Sequence, residues 1–258
     1  MLKKLILLIL ISTGIFLVGC GEKKVTIDDV KSTECYGNEY ATSGTSTVRC
    51  SNGYYTLREY GKYITYASDA DLDNEIFLCG KPECKHMNDT LSILPDCDAY
   101  LGNTVLDSIM CYDEQIYVLI LENAEAVLYR ISKDGSRHER LLAIGDMSVN
   151  QSGVYHYIVD GDTVYVLYHS EGYKDDDVSQ ISKFSLTTGE KEILIEEKAS
   201  CTVLMLYNGN IFYRKSDYKD WNSNVIRRID LSTGKAEDVV AGILGRYTID
   251  NLGNRLLY

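Results

Sequence analysis

Short apolar runs, each following a polar turn, recur along the chain from about residue 53 to its last residue. The runs are rich in Tyr, Val, Ile and Thr, the residues that pleated strands favour. Beyond the first twenty residues, no stretch keeps the 3.6-residue apolar period of an amphipathic helix. The pattern therefore predicts an all-β protein.

The runs repeat at intervals of about 44 to 53 residues, which is typical of propeller blades. The aligned segments are 60–66, 112–120, 160–168, 207–215 and 252–258, superimposed on Ile64, Tyr117, Tyr165, Phe212 and Leu256. Each complete unit should also contain a second hairpin, whose turn ends at Gly135, Gly189 or Gly234 in the later units.

Two hairpins per unit predict a β-propeller of four-stranded antiparallel blades over residues 35–258, with a β-sandwich as the alternative. The chain stops in the first strand of a fifth unit. Either the N-terminal strands complete a small ring or the sequence is a fragment of a longer protein. We expect the fragment, and therefore an incomplete propeller.

The N-terminus reads as an export signal. Lys3 and Lys4 precede an apolar run, 5–18, that is too short to span a bilayer as a stable helix. Leu-Val-Gly-Cys at 17–20 resembles the lipobox of bacterial lipoproteins. The resemblance implies removal of residues 1–19, a diacylglycerol on Cys20 and a location on the outer side of the cell membrane. The alternatives are an ordinary signal peptide and an uncleaved anchor.

Residues 20–34 are polar and lack apolar periodicity, so we interpret them as the lipidated cysteine and a tether. The chain carries 38 acidic and 26 basic residues, a formal charge of −12. That net negative charge argues against nucleic acid as a partner, because proteins bind its phosphates through clusters of Lys and Arg.

Two phrases of the repeat carry a family resemblance. Tyr-Asn-Gly-Asn-Ile-Phe-Tyr at 207–213 and Ile-Asp-Leu-Ser-Thr-Gly-Lys at 229–235 resemble the unit phrases of bacterial lipoproteins with TolB-like or quinoprotein-like propeller domains. Many such domains have no known function. The resemblance implies the fold and no particular activity.

A cysteine-rich insert, 79–100, interrupts the first unit where we expect the turn of its second hairpin. Cys79, Cys84, His86 and Cys97 follow a C-x4-C-x-H-x10-C spacing. Three thiolates and an imidazole complete a tetrahedral set for a structural Zn²⁺ and leave no open position for catalysis. The segment from Cys79 to Tyr100 also resembles a recurrent insert in propeller-like lipoproteins of Gram-positive bacteria.

Export favours a second interpretation, in which cysteines of the insert pair as disulfides; unpaired thiols are a third. Without Cys20, seven cysteines remain, and an odd number cannot all pair within one chain. If zinc takes three, Cys35 and Cys50 could close one hairpin loop, while Cys111 and Cys201 stay unpaired in apolar strands.

Two further groups are candidates for binding. Asp69, Asp71 and Asp73 alternate as in calcium loops, but the closing carboxylate is missing, because Gly80 occupies the twelfth position. The same stretch could simply be a solvated hairpin turn. We expect Tyr218 and Trp221 in a loop between strands, where they could stack on a sugar or anchor a protein contact. Trp221 could equally cap the core beside that loop.

Three functions fit these features. The first is a non-enzymatic binding module, anchored to the membrane, that presents propeller loops to an extracellular protein, peptide or glycan. The second is a glycan hydrolase or lyase with paired carboxylates at the propeller axis. The third is a scaffold lipoprotein. No nucleophile-elbow, P-loop or dinucleotide motif is present in the sequence, and a site assembled from several blades would leave no such motif.

Overall fold

The computed structural model describes residues 46–59, 62–87, 94–102, 105–146, 153–170, 178–217, 220–241, 248–249 and 256–257. The chain divides into two compact units, Met1–Glu34 and Cys35–Tyr258, and all described residues belong to the second. Within these residues the regular elements are strands, and no helix has the length and apolarity needed to cross a bilayer.

Sixteen of the strands form four sheets, each of four consecutive antiparallel strands, which we call blades 1 to 4. Blade 1 contains β1 (Thr47–Cys50), β2 (Gly53–Arg58), β3 (Tyr63–Ser68) and β4 (Asp71–Phe77). Blade 2 contains β5 (Val105–Tyr112), β6 (Gln115–Glu122), β7 (Glu125–Ile131) and β8 (His138–Asp146). Blade 3 contains β9 (Gly153–Asp160), β10 (Thr163–Ser170), β11 (Val178–Ser185) and β12 (Lys191–Glu197). Blade 4 contains β13 (Ser200–Tyr207), β14 (Asn210–Asp217), β15 (Asp220–Asp230) and β16 (Ala236–Ala241). A further pair, β17 (Thr248–Ile249) and β18 (Leu256–Leu257), follows.

The blades pack through their first strands. β1 contacts β5, β5 contacts β9, and β9 contacts β13. One apolar core joins blades 2, 3 and 4, and a second joins blades 1 and 2. Consecutive four-stranded sheets whose first strands lie side by side are the arrangement of a propeller, with β1, β5, β9 and β13 innermost. The predicted propeller class is confirmed, and the alternative of two stacked sheets is wrong.

The glycine turns of the later blades take the conformation that their sequence predicts. Gly135, Gly189 and Gly234 have φ values of 73°, 73° and 69°. In the last of these turns, Asp230 Oδ1 accepts hydrogen bonds from the N–H groups of Ser232 (2.8 Å) and Thr233 (3.2 Å). The carboxylate satisfies donors that the tight turn leaves unpaired, which explains why Asp and Ser precede the glycine in this phrase.

Blade 1 departs from the predicted register. The aligned segment around Ile64 forms the third strand of blade 1, whereas Tyr117, Tyr165 and Phe212 lie in second strands. The second strand of blade 1 is β2, which follows a turn at Ser51 and Asn52.

The insert is displaced accordingly. The turn between β3 and β4 is a tight one at Asp69 and Ala70, in which the N–H of Asp71 donates to Ser68 Oγ (3.2 Å). The insert leaves after Phe77, at the end of β4, and therefore connects blade 1 to blade 2. The prediction that it replaces a hairpin turn within blade 1 is wrong, because both strands of that hairpin are complete before Cys79.

Candidate metal centre

Both ends of the cysteine-rich insert are held along β3. The Leu78 N–H donates to Ile64 O (3.1 Å), and the Ile64 N–H donates to Ala99 O (2.9 Å). The Leu101 N–H donates to Lys62 O (2.8 Å), next to a bridge between Tyr63 and Tyr100. The segment after Cys97 therefore continues the hydrogen bonding of β3 where β4 has ended, which fixes both halves of the insert on one support.

Between these ends, Cys79, Cys84, His86 and Cys97 converge. Each offers one ligand atom, and the four atoms lie within 4.8 Å of one another. Cys97 Sγ is 3.6 Å from His86 Nδ1. Tetrahedral zinc with three sulfur ligands and one nitrogen ligand would set such ligand atoms about 3.5 to 3.8 Å apart. Cys79, Cys84 and Cys97 are unpaired thiols, so the insert contains no disulfide between them.

Backbone amides of the insert point at the sulfur atoms. Burial alone would raise the pKa of Cys79, but the N–H groups of Lys81 and Asp98 and the neighbouring thiols hydrogen-bond to its sulfur and hold that pKa below its ordinary value. The His86 N–H donates to Cys84 Sγ (3.4 Å). Amide donors stabilise negative charge on sulfur, and the thiolate is the form that binds metal.

Cys97 lies on the buried side of the group. Burial raises the pKa of its thiol to about 12, even though the Ala99 N–H donates to it. Cys79, Cys84 and His86 are only partly buried. A metal would therefore be reached from the side of these three residues, with Cys97 as the inner ligand.

Local structure positions His86 without a regular element. The Cys84 N–H donates to Lys81 O (3.2 Å) and closes a tight turn around Pro82. His86 adopts a left-handed φ of 61°, and its ring stacks on Phe77, with centroids 5.2 Å apart. Phe77 belongs to a small apolar cluster beneath the ligands that also includes Leu94, Ala99 and Tyr100. This cluster gives the imidazole a fixed platform.

The insert also touches blade 2. A Cβ placed on Gly135 would collide with Leu78 O, and one placed on Gly80 would lie 2.7 Å from Ser136 Cβ. Lys81 and Asp98, both in the insert, form an ion pair at 2.9 Å. The turn between β7 and β8 thus packs directly against the start of the insert, so the ligand group lies at the junction of blades 1 and 2.

A disulfide occupies the same junction. Cys50, at the end of β1, is bonded to Cys111 of β5, with Cα atoms 5.8 Å apart. The predicted pairing of Cys50 with Cys35 is therefore wrong; Cys35 itself lies outside the described residues. Cys111 was expected to stay unpaired, and the structure pairs it because β1 and β5 are neighbouring innermost strands.

Polar groups flank this disulfide. Glu114, in the turn after β5, accepts hydrogen bonds from Ser51 Oγ (2.5 Å) and from Lys133. Tyr55 donates its hydroxyl to Lys133 O (3.3 Å). The hydrogen bond from Lys133 is the main cause that lowers the pKa of Glu114 below its ordinary value.

The remaining candidate residues do not join the metal group. Asp69, in the β3–β4 turn, pairs with Arg49 at 3.0 Å, and Asp71 and Asp73 follow on β4. Among the described residues, the group of metal-ligating side chains that converges is the Cys3His set, so the three aspartates form no such centre. Cys201 is an unpaired thiol in the core, where burial raises its pKa to about 12.

Some predicted residues cannot be located. Cys20 and Tyr218 lie outside the described residues, and Trp221 falls within β15, where the structure describes only the backbone. The lipidation of Cys20 and the ligand contacts of Tyr218 and Trp221 stay predictions.

No protein-family model matches the chain, and no curated protein matches it. Among solved structures, a prolyl endopeptidase is similar over 73% of this chain and 24% of its own, with 13% identity and a TM-score of 0.46. An oligogalacturonate lyase in complex with manganese is similar over 80% of this chain and 53% of its own, with 8% identity and a TM-score of 0.48. A TolB-like protein from Agrobacterium tumefaciens is similar over 77% of this chain and 64% of its own, with 11% identity and a TM-score of 0.42.

This chain spans about a quarter of the endopeptidase and about half of the lyase. At these identities and TM-scores the likeness carries no argument about activity. The propeller assignment rests on the four sheets and on the contacts between their innermost strands.

Proposed function

We propose that this protein is a membrane-anchored, extracytoplasmic binding module whose propeller is fastened at its first blade by a structural zinc ion. One observation carries the proposal. At the junction of blades 1 and 2, a formed disulfide lies beside three unpaired thiols that converge with a histidine.

The disulfide supports an oxidising compartment, where such bonds form and persist. In that compartment, thiols whose sulfur atoms lie within 4.8 Å of one another would be expected to pair. Metal ligation is the condition that keeps them apart, because a thiolate bound to zinc is not free to attack a disulfide. The amide donors and the imidazole fit the same interpretation.

Zinc in this site would have a structural role. Cys79, Cys84, Cys97 and His86 supply four ligands, and four protein ligands close a tetrahedral site. With no position left for water or substrate, the ion would join the two halves of the insert and hold them against β3 and the β7–β8 turn.

The membrane anchor rests on the N-terminal sequence. Two acyl chains on Cys20 would anchor the protein stably, because each buried methylene contributes about 0.8 kcal/mol and a single chain is only marginal. The polar segment 20–34 would then separate the propeller from the lipid surface.

Binding is favoured over hydrolysis by the chemistry of the innermost strands. Their described side chains are mainly apolar, as in Ile109, Met110, Ile158 and Leu204. Glycoside hydrolysis requires two carboxyl groups about 5 to 9.5 Å apart on either side of the scissile bond. On these innermost strands, the one described side chain with a carboxylate is Asp160, which is exposed at the end of β9. The one buried carboxylate among the described residues, Glu197 at 9% exposure, lies on the outer strand β12.

Glu197 is fully engaged by neighbouring side chains. It accepts hydrogen bonds from Tyr213 (3.0 Å) and Lys215 (2.7 Å) and pairs with Arg227. These donors hold the pKa of Glu197 below its ordinary value, although burial opposes the shift. A carboxylate fixed in this way links blade 3 to blade 4. The partner class that we propose is therefore an extracellular protein, peptide or glycan bound at loops or strand edges.

Native mass spectrometry tests the zinc site directly. The full-length protein would be extracted from membranes in detergent without reductant, then alkylated with and without a chelator. We expect one zinc ion per chain, with Cys79, Cys84 and Cys97 alkylated only after chelation. A metal-free protein with these cysteines in disulfides would overturn the zinc assignment.

The same preparation tests the anchor. The Cys20→Ala variant should appear in the soluble fraction, whereas the wild type stays with membranes. A Cys35→Ala variant is the matched control, because Cys35 lies beyond the lipobox. Continued membrane association of Cys20→Ala would contradict the lipid anchor.

A further inference from the structure

The three sulfur atoms of the ligand group touch one another but differ in exposure. Cys79 Sγ makes hydrogen bonds with the thiols of Cys84 and Cys97, and these two thiols also contact each other. Cys97 is 3% exposed, whereas Cys79 and Cys84 are only partly buried. A small oxidant that arrives from solvent would therefore meet Cys79 and Cys84 before it met Cys97.

The amide groups around the two outer sulfur atoms are unequal. Cys79 Sγ accepts hydrogen bonds from the N–H groups of Lys81 and Asp98. Among the described residues, the amide that donates to Cys84 Sγ is that of His86, at 3.4 Å. Each N–H···S hydrogen bond draws electron density from the sulfur and lowers its nucleophilicity. Cys84 is therefore the more nucleophilic of the two accessible thiolates.

The ends of the insert are held without help from the ligands. Leu78 and Leu101 donate their N–H groups to the carbonyls of β3, and the Ile64 N–H donates to Ala99 O. These bonds join backbone to backbone, so they do not depend on a metal. Loss of the ion would thus loosen residues 80–97 and leave the propeller folded.

The loosened part contains the contact with blade 2. Gly80 lies so close to the β7–β8 turn that a Cβ added to it would be 2.7 Å from Ser136 Cβ. Lys81 and Asp98, which form an ion pair at 2.9 Å, come from opposite ends of this part. A chemical change at the sulfur atoms would therefore alter how the insert packs at the junction of blades 1 and 2.

We infer that the ligand group is a peroxide-sensitive switch, in which oxidation of Cys84 and Cys79 to a disulfide releases the zinc ion. The inference rests on the proposed zinc site and names its regulation. In the first step the Cys84 thiolate attacks one oxygen of hydrogen peroxide, the O–O bond breaks, and hydroxide leaves, so that Cys84 becomes a sulfenic acid. In the second step the Cys79 thiolate attacks that sulfur, the S–O bond breaks, and a second hydroxide leaves.

The two steps balance. The two thiolates lose two electrons in forming the disulfide, and hydrogen peroxide takes up both in becoming two hydroxide ions. Cys97 and His86 then remain as ligands, and two ligands do not close a tetrahedral zinc site, so the ion leaves as the divalent cation. A dithiol reductant and added zinc would restore the original group.

Zinc release and thiol mapping test the switch on the full-length, zinc-loaded protein in detergent. Hydrogen peroxide would be added beside a chromogenic chelator, at a chelator concentration that leaves the untreated protein loaded. We expect the bound zinc to be released while a disulfide forms between Cys79 and Cys84 and Cys97 stays open to alkylation after denaturation. Cys201, a buried and unpaired thiol, is the internal control and should also stay reduced.

Two matched variants test the order of attack, since each removes one outer sulfur. Both would be treated with hydrogen peroxide in excess zinc, together with a dimedone probe that traps sulfenic acids. Cys79→Ser should accumulate the trapped sulfenic acid at Cys84. In Cys84→Ser the reaction at Cys79 should be about tenfold or more slower, because two amides donate to that sulfur. Equal rates in the two variants would overturn the attack by Cys84.

Hydrogen exchange on the oxidised and reduced samples tests whether the change is local. We expect peptides from residues 80–97 to exchange about tenfold or more faster after oxidation. The amides of Leu78 and Leu101 should keep their protection, because their hydrogen bonds to β3 remain. Faster exchange across all blades would mean that peroxide unfolds the protein, which would overturn the switch.

Other outcomes would also overturn it: zinc that stays bound while added glutathione is fully oxidised, a disulfide that includes Cys97, oxidation of Cys201 in parallel, or failure of reductant and zinc to restore the site. Zinc content before peroxide is measured on the same sample. A zinc-loaded protein that peroxide leaves unchanged would overturn the switch alone. A protein isolated without zinc would overturn the proposed zinc site, and the switch with it.

Discussion

The junction of blades 1 and 2 contains two groups of cysteines with different fates. Cys50 and Cys111 lie at the ends of neighbouring innermost strands and are joined. Cys79, Cys84 and Cys97 lie in the insert, beside an imidazole, and are not. Rigid strands bring two sulfur atoms together and no other ligand, whereas a folded-back loop brings four ligands to one point. The supporting element therefore decides which cysteine chemistry is available.

Both groups lie where blades 1 and 2 meet. The disulfide joins the innermost strands, while the insert spans from the end of β4 to the start of β5 and packs on the β7–β8 turn. A covalent bond fixes the blades near the axis, and the proposed metal would fix the connecting segment. Removing a metal ligand and removing the disulfide in separate variants would show what each contributes to the junction.

Loss of the inner metal ligand should have the largest effect on metal binding. In Cys97→Ser, zinc affinity should fall by more than about 100-fold, because a buried thiolate ligand is replaced by a weak hydroxyl. Cys201→Ser, another buried and unpaired cysteine, is the matched control and should retain wild-type affinity. Competition with a chromogenic chelator measures the difference. Equal affinity of the two variants would remove Cys97 from the metal site.

Removal of the disulfide should spare the metal site and act on the whole fold. The bond closes a loop with a sequence separation of 61, for which chain-entropy arguments give about 4 kcal/mol. We expect Cys50→Ala/Cys111→Ala to lower the free energy of unfolding by about that amount in urea titrations while zinc content stays at one per chain. Loss of zinc from this variant would show that the two fastenings depend on each other.

The contact between the insert and blade 2 can be weakened through one glycine. Gly135 and Gly189 occupy corresponding turns and share a φ of 73°, but only Gly135 lies against Leu78. Alanine at either position should cost about 1 to 2 kcal/mol for the left-handed backbone. Gly135→Ala should cost about 1 to 3 kcal/mol more, because its methyl group collides with Leu78 O. Equal losses in thermal or urea unfolding would mean that the insert does not pack on this turn.

Much of this architecture could be predicted from the sequence. Repeated strand runs and glycine turns such as those at Gly189 and Gly234 sufficed for four-stranded blades, since they report local backbone geometry. The spacing of the Cys3His set likewise anticipated its convergence, because all four ligands lie within twenty residues.

The errors concern blade 1 and its junction with blade 2. Its second and third strands, β2 and β3, are both rich in tyrosine, so the repeat was aligned on Ile64 one strand too late and the insert was placed in the wrong connection. The partner of Cys50 depends on which innermost strands are neighbours. That information resides in tertiary packing, and no local pattern around Cys111 carries it.

The smallest expected effect concerns Glu114, the polar neighbour of the disulfide. Its pKa is lowered, mainly by the hydrogen bond from Lys133. A carboxyl group whose folded pKa is depressed contributes stability above its unfolded pKa, near 4.5, and that contribution is lost as the pH falls through the lower folded value. Because the pair is partly exposed, Glu114→Gln should cost less than about 1 kcal/mol at neutral pH.

The pH dependence separates this pair from the disulfide beside it. Urea titrations of wild type and Glu114→Gln should differ at pH 7 and converge as the pH falls from about 4.5 through the lower folded pKa, where the carboxylate of the folded protein becomes protonated. The cost of removing the disulfide should stay nearly constant over that range, since neither sulfur titrates. A Glu114→Gln difference that persisted at low pH would mean that the Glu114 side chain stabilises the junction through packing and not through its charge.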